Sequence, residues 1–246
     1  MNWGEKYGVI DIETLRQHAQ DIFYAGLQAV EPGSAIKQSV SRTDQLLHVG
    51  DAQYNLDAYR RIYVVGGGKA GASMASAIEE ILSDRITQGI VTVKYHHLVP
   101  TTRITLHEAG HPVPDEAGVA GTQRIVQLLE SATETDLVMC LLSGGGSALL
   151  PAPAEGITLR QKQAVTELLL RCGATIYEMN TLRKHISAIK GGQLARIAYP
   201  ATLVTLTLSD VIGDPLDVIA SGPTVPDRQT FGDCMEILNK YAIADI

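Results

Sequence analysis

The stretch Arg61-Ile62-Tyr63-Val64-Val65-Gly66-Gly67-Gly68-Lys69 decides the fold class of this chain. A short apolar, β-branched run stops at three glycines, which is typical of a buried strand that enters a tight turn. Met74, Ile78 and Ile81 then follow at helical spacing. A second buried-type strand is predicted at Gly89 to Val93, so the stretch opens a strand–helix–strand unit.

The same order of elements recurs towards the carboxyl end of the sequence. Helices are predicted at Asp115 to Leu129, Thr158 to Arg171 and Phe231 to Tyr241, and strands at Asp136 to Leu142 and Leu203 to Leu208. Strands that alternate with helices of this length favour parallel pairing through helical crossovers. We therefore predict a single domain over residues 1–246, an α/β, Rossmann-like fold with a mostly parallel sheet and helices on both faces.

Three further segments have weaker patterns. Residues Asp11 to Val30 have helical periodicity, with an apolar face that includes Ile12, Leu15 and Phe23. Two short strands are expected in Ala35 to Val49, around a polar turn. The segment Asn180 to Ile197 reads as a helix interrupted at two glycines.

Composition excludes several functional classes. The 246 residues include 20 Lys and Arg against 27 Asp and Glu, a net charge of −7, which argues against a nucleic-acid-binding surface. The three cysteines are far apart, so neither a disulfide framework nor a zinc site is expected. No signal peptide is recognisable, and no apolar run approaches the ~20 residues that span a bilayer. We expect a cytoplasmic protein that does not bind membranes.

The first glycine-rich turn contains G-x-G-x-x-G at Gly66, Gly68 and Gly71, between a predicted strand and helix. That pattern is typical of dinucleotide binding, but an acid should follow at the tip of the next strand, where this chain has Lys94. Lys69 instead favours neutralisation of phosphoryl oxygens, although Walker A is not matched. A plain tight turn that exposes a lysine is the alternative.

A second glycine-rich loop, Ser143-Gly144-Gly145-Gly146-Ser147, follows the next buried strand. Its glycines and hydroxyls could form an anion-binding nest, whereas the G-x-S-x-G pattern of serine hydrolases is not met. Both loops are expected at the carboxyl edge of the sheet, where α/β proteins bind ligands.

Polar side chains elsewhere suggest further ligand contacts. Arg183 and Lys190 would share a face if their segment is helical, and could grip a carboxylate or phosphate; a solvated basic face is the alternative. Asp210 at a strand tip suits Mg²⁺ beside phosphates, or caps a turn. His111 could act as a general base or could hydrogen-bond backbone. His96 and His97 lack a third metal ligand.

Six motifs occur in a characteristic order: Val64-Val65-Gly66-Gly67-Gly68-Lys69-Ala70, His111-Pro112-Val113-Pro114-Asp115, Leu142-Ser143-Gly144-Gly145-Gly146-Ser147-Ala148, Arg183-Lys184-His185-Ile186-Ser187-Ala188-Ile189-Lys190-Gly191-Gly192, Ser209-Asp210-Val211-Ile212-Gly213-Asp214 and Ala220-Ser221-Gly222-Pro223-Thr224. In these motifs the chain resembles the N-terminal domain of the glycerate 2-kinase family, whose second domain is called MOFRL. Members are also labelled hydroxypyruvate reductase, especially in tartrate-utilisation settings.

The resemblance implies ATP-dependent phosphorylation of D-glycerate at the 2-hydroxyl, with Mg²⁺ and with Lys69 as the catalytic lysine. It also implies a MOFRL domain, absent from these residues, that supplies a further catalytic arginine and closes the cleft. Activity without it is therefore in question, and a homodimer or a partner MOFRL domain is expected. In this interpretation Asp210 holds Mg²⁺ or orients the hydroxyl. The alternatives are an NAD(P)H-dependent hydroxypyruvate reductase and a non-catalytic binding or assembly domain.

Overall fold

A computed structural model describes residues 11–244 of the chain. The strands in this range are β1 (Val40–Thr43), β2 (Leu46–Val49), β3 (Ala52–Asn55), β4 (Arg61–Gly67), β5 (Gln88–Lys94), β6 (Ile104–Ala109), β7 (Asp136–Ser143) and β8 (Thr202–Leu208). The helices are α1 (Ile12–Ala29), α2 (Pro32–Ser39), α3 (Gly71–Leu82), α4 (Glu116–Glu130), α5 (Gly146–Leu149), α6 (Leu159–Arg171), α7 (Ile176–His185), α8 (Gln193–Ala198) and α9 (Phe231–Lys240).

The main sheet has five strands in the order β6-β5-β4-β7-β8, and every neighbouring pair is parallel. From β4 the chain first proceeds to one side, through β5 and β6, and then crosses to the other side for β7 and β8. The strand order therefore reverses between β4 and β7, and the crevice at their carboxyl ends is the usual ligand site in such sheets. The predicted α/β, Rossmann-like fold is confirmed, but β6 was not predicted from the sequence.

Both faces of this sheet are covered, as predicted. The side chains of β7 alternate between two cores, so that Met139 packs with α3 on one face and Cys140 packs with α4 and α8 on the other. All eight residues of β7 are buried. A strand covered on both faces reads as one continuous apolar run, which is why the sequence Asp136 to Leu142 predicted it clearly.

The segment before β4 corrects one prediction. Residues 35–39 belong to helix α2 rather than to a strand, and β1, β2 and β3 form a small antiparallel sheet. The carboxylate of Glu31 accepts hydrogen bonds from the N–H groups of Gly33 (2.9 Å) and Ser34 (2.6 Å), and Pro32 occupies the first turn. Pro32 therefore follows α1 and is also the first residue of α2.

The predicted helix from Asn180 to Ile197 is also wrong in its extent. A capping box at Thr175 begins α7 earlier, and α7 ends at His185. The next residues form an isolated antiparallel bridge, in which Ser187 pairs with Pro153. Gly192, with a φ of +83°, then caps α8. The extended pairing and the left-handed glycine break the helical periodicity that the sequence suggested.

Helix α1 forms as predicted, but its apolar face is not part of the core. Asp11 caps it by accepting from the N–H groups of Glu13 and Thr14, and none of its residues is buried. Phe23 keeps 62% of its surface exposed. No helix within residues 11–244 is long and apolar enough to cross a membrane.

Candidate active site

The glycines of the first turn let β4 approach β7 closely. A Cβ on Gly66 would lie 1.9 Å from the carbonyl oxygen of Leu141, and a Cβ on Gly68 would lie 2.1 Å from Oγ of Ser143. Both glycines also have φ angles near +150°, at +147° and +149°. Only glycine satisfies both conditions without strain, so this turn holds the two strand ends together.

The N–H groups that follow in this turn are already bonded within the protein. The N–H of Gly68 donates to the carbonyl of Thr92 (3.1 Å), and that of Lys69 donates to the carbonyl of Gly144 (2.8 Å). The N–H of Ala70 donates to Oγ of Ser143 (3.1 Å). What this turn offers a ligand is therefore the side chain of Lys69, rather than a row of free N–H groups.

The second loop has the opposite character. Gly145 adopts a left-handed φ of +85°, and α5 begins directly after it. Within residues 11–244 the backbone N–H groups of Gly145, Gly146 and Ser147 donate to no acceptor. Adjacent N–H groups after a left-handed residue form an anion-binding concavity. Of the two predicted anion loops, this one has the free donors.

Asp210 extends over this second loop. A Cβ on Gly144 would lie 2.5 Å from an Oδ of Asp210, so the carboxylate is in close contact with the loop backbone. The same carboxylate pairs with Nζ of Lys69 at 3.6 Å, and both side chains remain about half exposed. The two residues predicted to be catalytic therefore meet above the crevice between β4 and β7.

A cavity of about 260 Å³ opens beside this loop. Gly145 and Ser147 form one side of it, and its basic lining groups are His111, Lys162, Arg183 and Lys190. Among residues 11–244, no acidic side chain lines the cavity. A concave site with buried cations and no counter-ion among its lining residues is built for an anion.

Two lysines of the cavity have pKa values below the ordinary value for lysine. Lys190 is 1% exposed, and its Nζ donates to the carbonyl of Ala220 at 3.3 Å. Burial, together with the charges of Lys162 and Arg183, lowers its pKa well below the ordinary value. Burial also lowers the pKa of Lys162 to about 8, with Arg183 contributing. A bound anion would favour the charged forms of both lysines.

A strained backbone segment supports the floor of the cavity. Ala220 and Ser221 are non-glycine residues with positive φ angles, of +52° and +62°, and they are buried. The hydroxyl of Ser221 lies 2.7 Å from that of Ser147 and donates to Oδ1 of Asn180 at 3.2 Å. Such strain persists only where the surroundings hold it, and it concentrates at functional sites.

Arg183 and Lys190 were predicted for a reason that the structure does not support. They do not share a helix face, because α7 ends before Lys190, yet both line the cavity. Lys162 was missed altogether. Its signal was a lysine at position i+3 from Leu159 on the buried face of α6, where an apolar residue is expected.

Comparison with known proteins places this geometry in a family. A family model described as "Domain of unknown function (DUF4147)" matches residues 18–246. The D-glycerate 2-kinase of Thermotoga maritima is 43% identical over 236 residues, which are 96% of this chain and 53% of that protein. A protein of Agrobacterium vitis with the provisional name hydroxypyruvate reductase is 51% identical over 183 residues, 74% of this chain and 42% of that protein.

Solved structures agree with the sequence matches. A crystal structure of a Pyrococcus horikoshii protein superposes with a TM-score of 0.85 at 41% identity, covering 93% of this chain and 51% of that one. The glycerate kinase of Thermotoga maritima gives a TM-score of 0.82 at 41% identity, covering 95% of this chain and 53% of that one. The chain spans about half the length of the curated relatives it matches. The chain therefore belongs to the DUF4147 family, and its relatives include proteins named glycerate 2-kinase.

Proposed function

We propose that the protein carrying this chain is a phosphotransferase, a glycerate 2-kinase that transfers the γ-phosphoryl group of ATP to the 2-hydroxyl of D-glycerate. The observation that carries the proposal is the meeting of three features at one crevice: the Lys69–Asp210 pair, the free N–H groups after Gly145, and the cation-lined cavity. The 43% identity to the Thermotoga maritima D-glycerate 2-kinase supports the same substrate.

Each group has a distinct role in this proposal. The second glycine-rich loop, Ser143 to Ser147, binds phosphate oxygens, while Gly66, Gly67 and Gly68 hold Lys69 beside it. Lys69 neutralises charge that develops on the transferring group, which is the main form of catalysis in phosphoryl transfer. Arg183 or Lys190 grips the glycerate carboxylate in the adjacent cavity. Substrate and nucleotide then lie side by side across Gly145.

The side chains at the crevice suit one kind of metal ion, Mg²⁺. No group of three His, Cys, Asp or Glu residues in the described part of the chain could enclose a metal ion. Mg²⁺ does not need one, because it is commonly held by one or two carboxylates together with substrate phosphates. Asp210, half exposed above the loop, fits that donor set. Bound Mg²⁺ would neutralise phosphate charge there.

The Lys69–Asp210 pair favours this arrangement. An exposed ion pair contributes little to stability, so separating it costs little. When nucleotide binds, Lys69 can turn to phosphate and Asp210 to the metal, each exchanging one opposite charge for another. The pair therefore keeps both side chains at the crevice before the ligand arrives.

A direct assay tests the proposal. ADP formation is measured with ATP, Mg²⁺ and D-glycerate, using L-glycerate as the stereochemical control, and the product is identified as 2- or 3-phosphoglycerate by NMR. D-glycerate-dependent ADP with the 2-phosphate as product supports the proposal. A different phosphorylated product, or no ADP above the L-glycerate control, contradicts it.

One observation favours a second candidate, an NAD(P)H-dependent hydroxypyruvate reductase: the 51% identity to the Agrobacterium vitis protein. The structure gives it less support, because β5 ends at Lys94 rather than at an acid and the N–H of Gly68 is bonded to Thr92. Hydroxypyruvate-dependent oxidation of NADH, without ADP formation from glycerate and ATP, would establish the reductase instead.

The proposal extends to partners and location. We propose that residues 1–246 act as one N-terminal domain and that a MOFRL domain, or a second copy in a homodimer, closes the crevice. Light scattering on the purified protein measures the oligomeric state. Its three cysteines are free thiols, which favours a reducing, cytoplasmic location. Glycerate is the expected partner, and neither nucleic acid nor a membrane is expected to bind.

A further inference from the structure

The imidazole of His111 lies against the loop that is proposed to hold phosphate. A Cβ on Gly145 would be 2.9 Å from Nε2 of His111 and 3.0 Å from Cγ of Lys69. The imidazole and the lysine side chain therefore lie next to each other, on the side of Gly145 where a side chain would point. His111 also lines the cavity that contains Arg183 and Lys190, so it borders both ligand sites.

His111 differs from three other histidines of the chain, whose rings are bonded to the backbone. The rings of His97, His107 and His185 each bond a backbone carbonyl, at 2.8, 2.7 and 2.8 Å. Within residues 11–244 neither ring nitrogen of His111 has a hydrogen-bond partner. The backbone-bonding alternative raised from the sequence is therefore wrong here. An unbonded imidazole at a ligand cavity can bond a ligand.

The charged side chains that line the cavity beside this imidazole, or that shift its pKa, are cations. They come from five segments of the fold: Lys69 from the first turn, Lys94 from β5, Lys162 from α6, Arg183 from α7 and Lys190 from the loop before α8. Burial, with the charges of Lys69 and Lys94, lowers the pKa of His111 below its usual 6.5. The ring is therefore neutral near pH 7 and can accept a proton.

We infer that His111 is the general base that takes the proton of the substrate hydroxyl during phosphoryl transfer. This inference rests on the proposed function, because it assigns a role at the same site. The O–H bond of the hydroxyl breaks and its proton moves to a nitrogen of His111. The hydroxyl oxygen bonds the γ-phosphorus, and the bond from that phosphorus to the bridging oxygen breaks. ADP leaves with that electron pair.

Other groups at the crevice are less suited to this step. The carboxylate of Asp210 is paired with Lys69 and is the proposed metal ligand, so its lone pairs are committed. Nζ of Lys190 donates to the carbonyl of Ala220, and a bound carboxylate would keep it charged. Of these three groups, His111 is the one whose basic atom is unbonded and that borders both ligand sites.

The test replaces His111 in the protein that carries this chain and follows ADP formation with ATP, Mg²⁺ and D-glycerate. H111Q keeps a polar side chain but removes the base, so kcat should fall about 10²- to 10⁴-fold. The dissociation constant of D-glycerate, measured by calorimetry, should change less than about threefold. H48Q, in β2 of the small sheet, is the matched control and should keep full activity.

Two readouts separate a base from a merely structural residue. The unsubstituted protein should lose kcat/KM as the pH falls below 6.5, because the imidazole becomes protonated, and H111Q should lose this acidic limb. In H111A, added imidazole should restore part of the lost rate. H111Q with kcat within about threefold of the unsubstituted protein, or with the limb intact, overturns the inference alone. Failure of the unsubstituted protein to phosphorylate glycerate overturns the proposed function as well.

Discussion

The backbone N–H of Lys69 donates a 2.8 Å hydrogen bond to the carbonyl oxygen of Gly144. This bond joins the turn after β4 to the loop after β7, the two strands between which the sheet order reverses. It fixes the main chain of Lys69 and leaves its side chain free to reach the crevice. The position of the lysine is therefore set by a loop 75 residues further along the chain.

Replacing Lys69 with alanine should lower kcat for ADP formation at least ~100-fold, on the scale of one lost electrostatic contact to the transition state. Stability should change little, because the Lys69–Asp210 pair is about half exposed. A coupled ADP assay and urea unfolding measure the two effects. The control is Lys37→Ala, which breaks the exposed Lys37–Glu80 pair and should leave turnover intact. Equal turnover in K69A would remove Lys69 from the mechanism.

The close approach of β4 to β7 predicts a stability effect at Gly68. Gly68→Ala should lower the free energy of unfolding by at least about 2 kcal/mol, because the residue has a φ of +149° and its Cβ would lie 2.1 Å from Ser143 Oγ. Gly50→Ala is the matched control: its φ is +54° with open space around it, so only about 1 kcal/mol of backbone strain is expected. Similar losses in the two urea titrations would mean that the clash relaxes.

Sequence predicted β4, β5 and β7 because these strands are buried on both faces, and such strands stand out as apolar runs between glycines and helices. The predicted bounds of helices and strands were wrong where the local sequence pattern and the tertiary contacts favour different structures. Residues 35–39 look strand-like, but the cap from Glu31 makes them helical. β6 was missed because the middle of Ile104–Ala109 is half-exposed and includes a histidine and a glutamate, so the sequence shows no regular alternation of apolar and polar residues there.

The candidate site was predicted as a set of motifs but not as a geometry. Lys69, Asp210 and the Ser143 to Ser147 loop could be found because strand tips in a parallel sheet share one edge. Which loop has free N–H groups depends on long-range bonds, such as that from Ala70 to Ser143, which no local pattern encodes. Lys162 enters the cavity only through the packing of α6, so its role needed the folded structure.

The buried Asp136 predicts how stability changes in acid. Burial opposes its ionisation, but bonds from Arg61 (2.6 and 2.9 Å) and Thr133 outweigh it, and the pKa of Asp136 is lowered from 3.8. The stabilisation is therefore complete above about pH 4 and is lost as the pH falls through the folded-state pKa. Asp136→Asn should cost roughly 2–4 kcal/mol at pH 7.

The difference between Asp136→Asn and the unsubstituted protein should shrink as the pH falls from 3.8 through the lower folded-state pKa, because below that pKa neither protein has the carboxylate charge. Urea unfolding at pH 7 and across the acid range measures it. Glu80→Gln, which removes only an exposed partner of Lys37, serves as control and should cost below about 1 kcal/mol at any pH. A penalty for D136N that persists unchanged in acid would assign the effect to shape rather than to charge.

Two buried lysines of this chain have opposite surroundings. Nζ of Lys184 contacts Asp217 (3.4 Å), Asp227 (3.2 Å) and Gln229 (2.9 Å), so its charge is compensated within the protein. Lys190 has one carbonyl partner and faces Lys162 and Arg183. The first lysine therefore fastens α7 to the loop before α9. The charge of Lys190 is instead left to be compensated by a bound anionic ligand.

Lys190→Met should consequently raise the free energy of unfolding at neutral pH by roughly 1–3 kcal/mol, while it weakens D-glycerate binding at least ~10-fold. The pKa of Lys190 is lowered from 10.5 by burial, so the unfolded chain binds its proton more tightly, and this residue makes stability rise with pH up to about 10.5. K190M should remove that slope.

Lys184→Met is the control and should destabilise the protein, because it leaves the carboxylate of Asp227 without its lysine partner. Urea unfolding and calorimetry measure both quantities; a K190M protein that is less stable yet still binds glycerate would show that Lys190 is structural and that Arg183 holds the carboxylate without it.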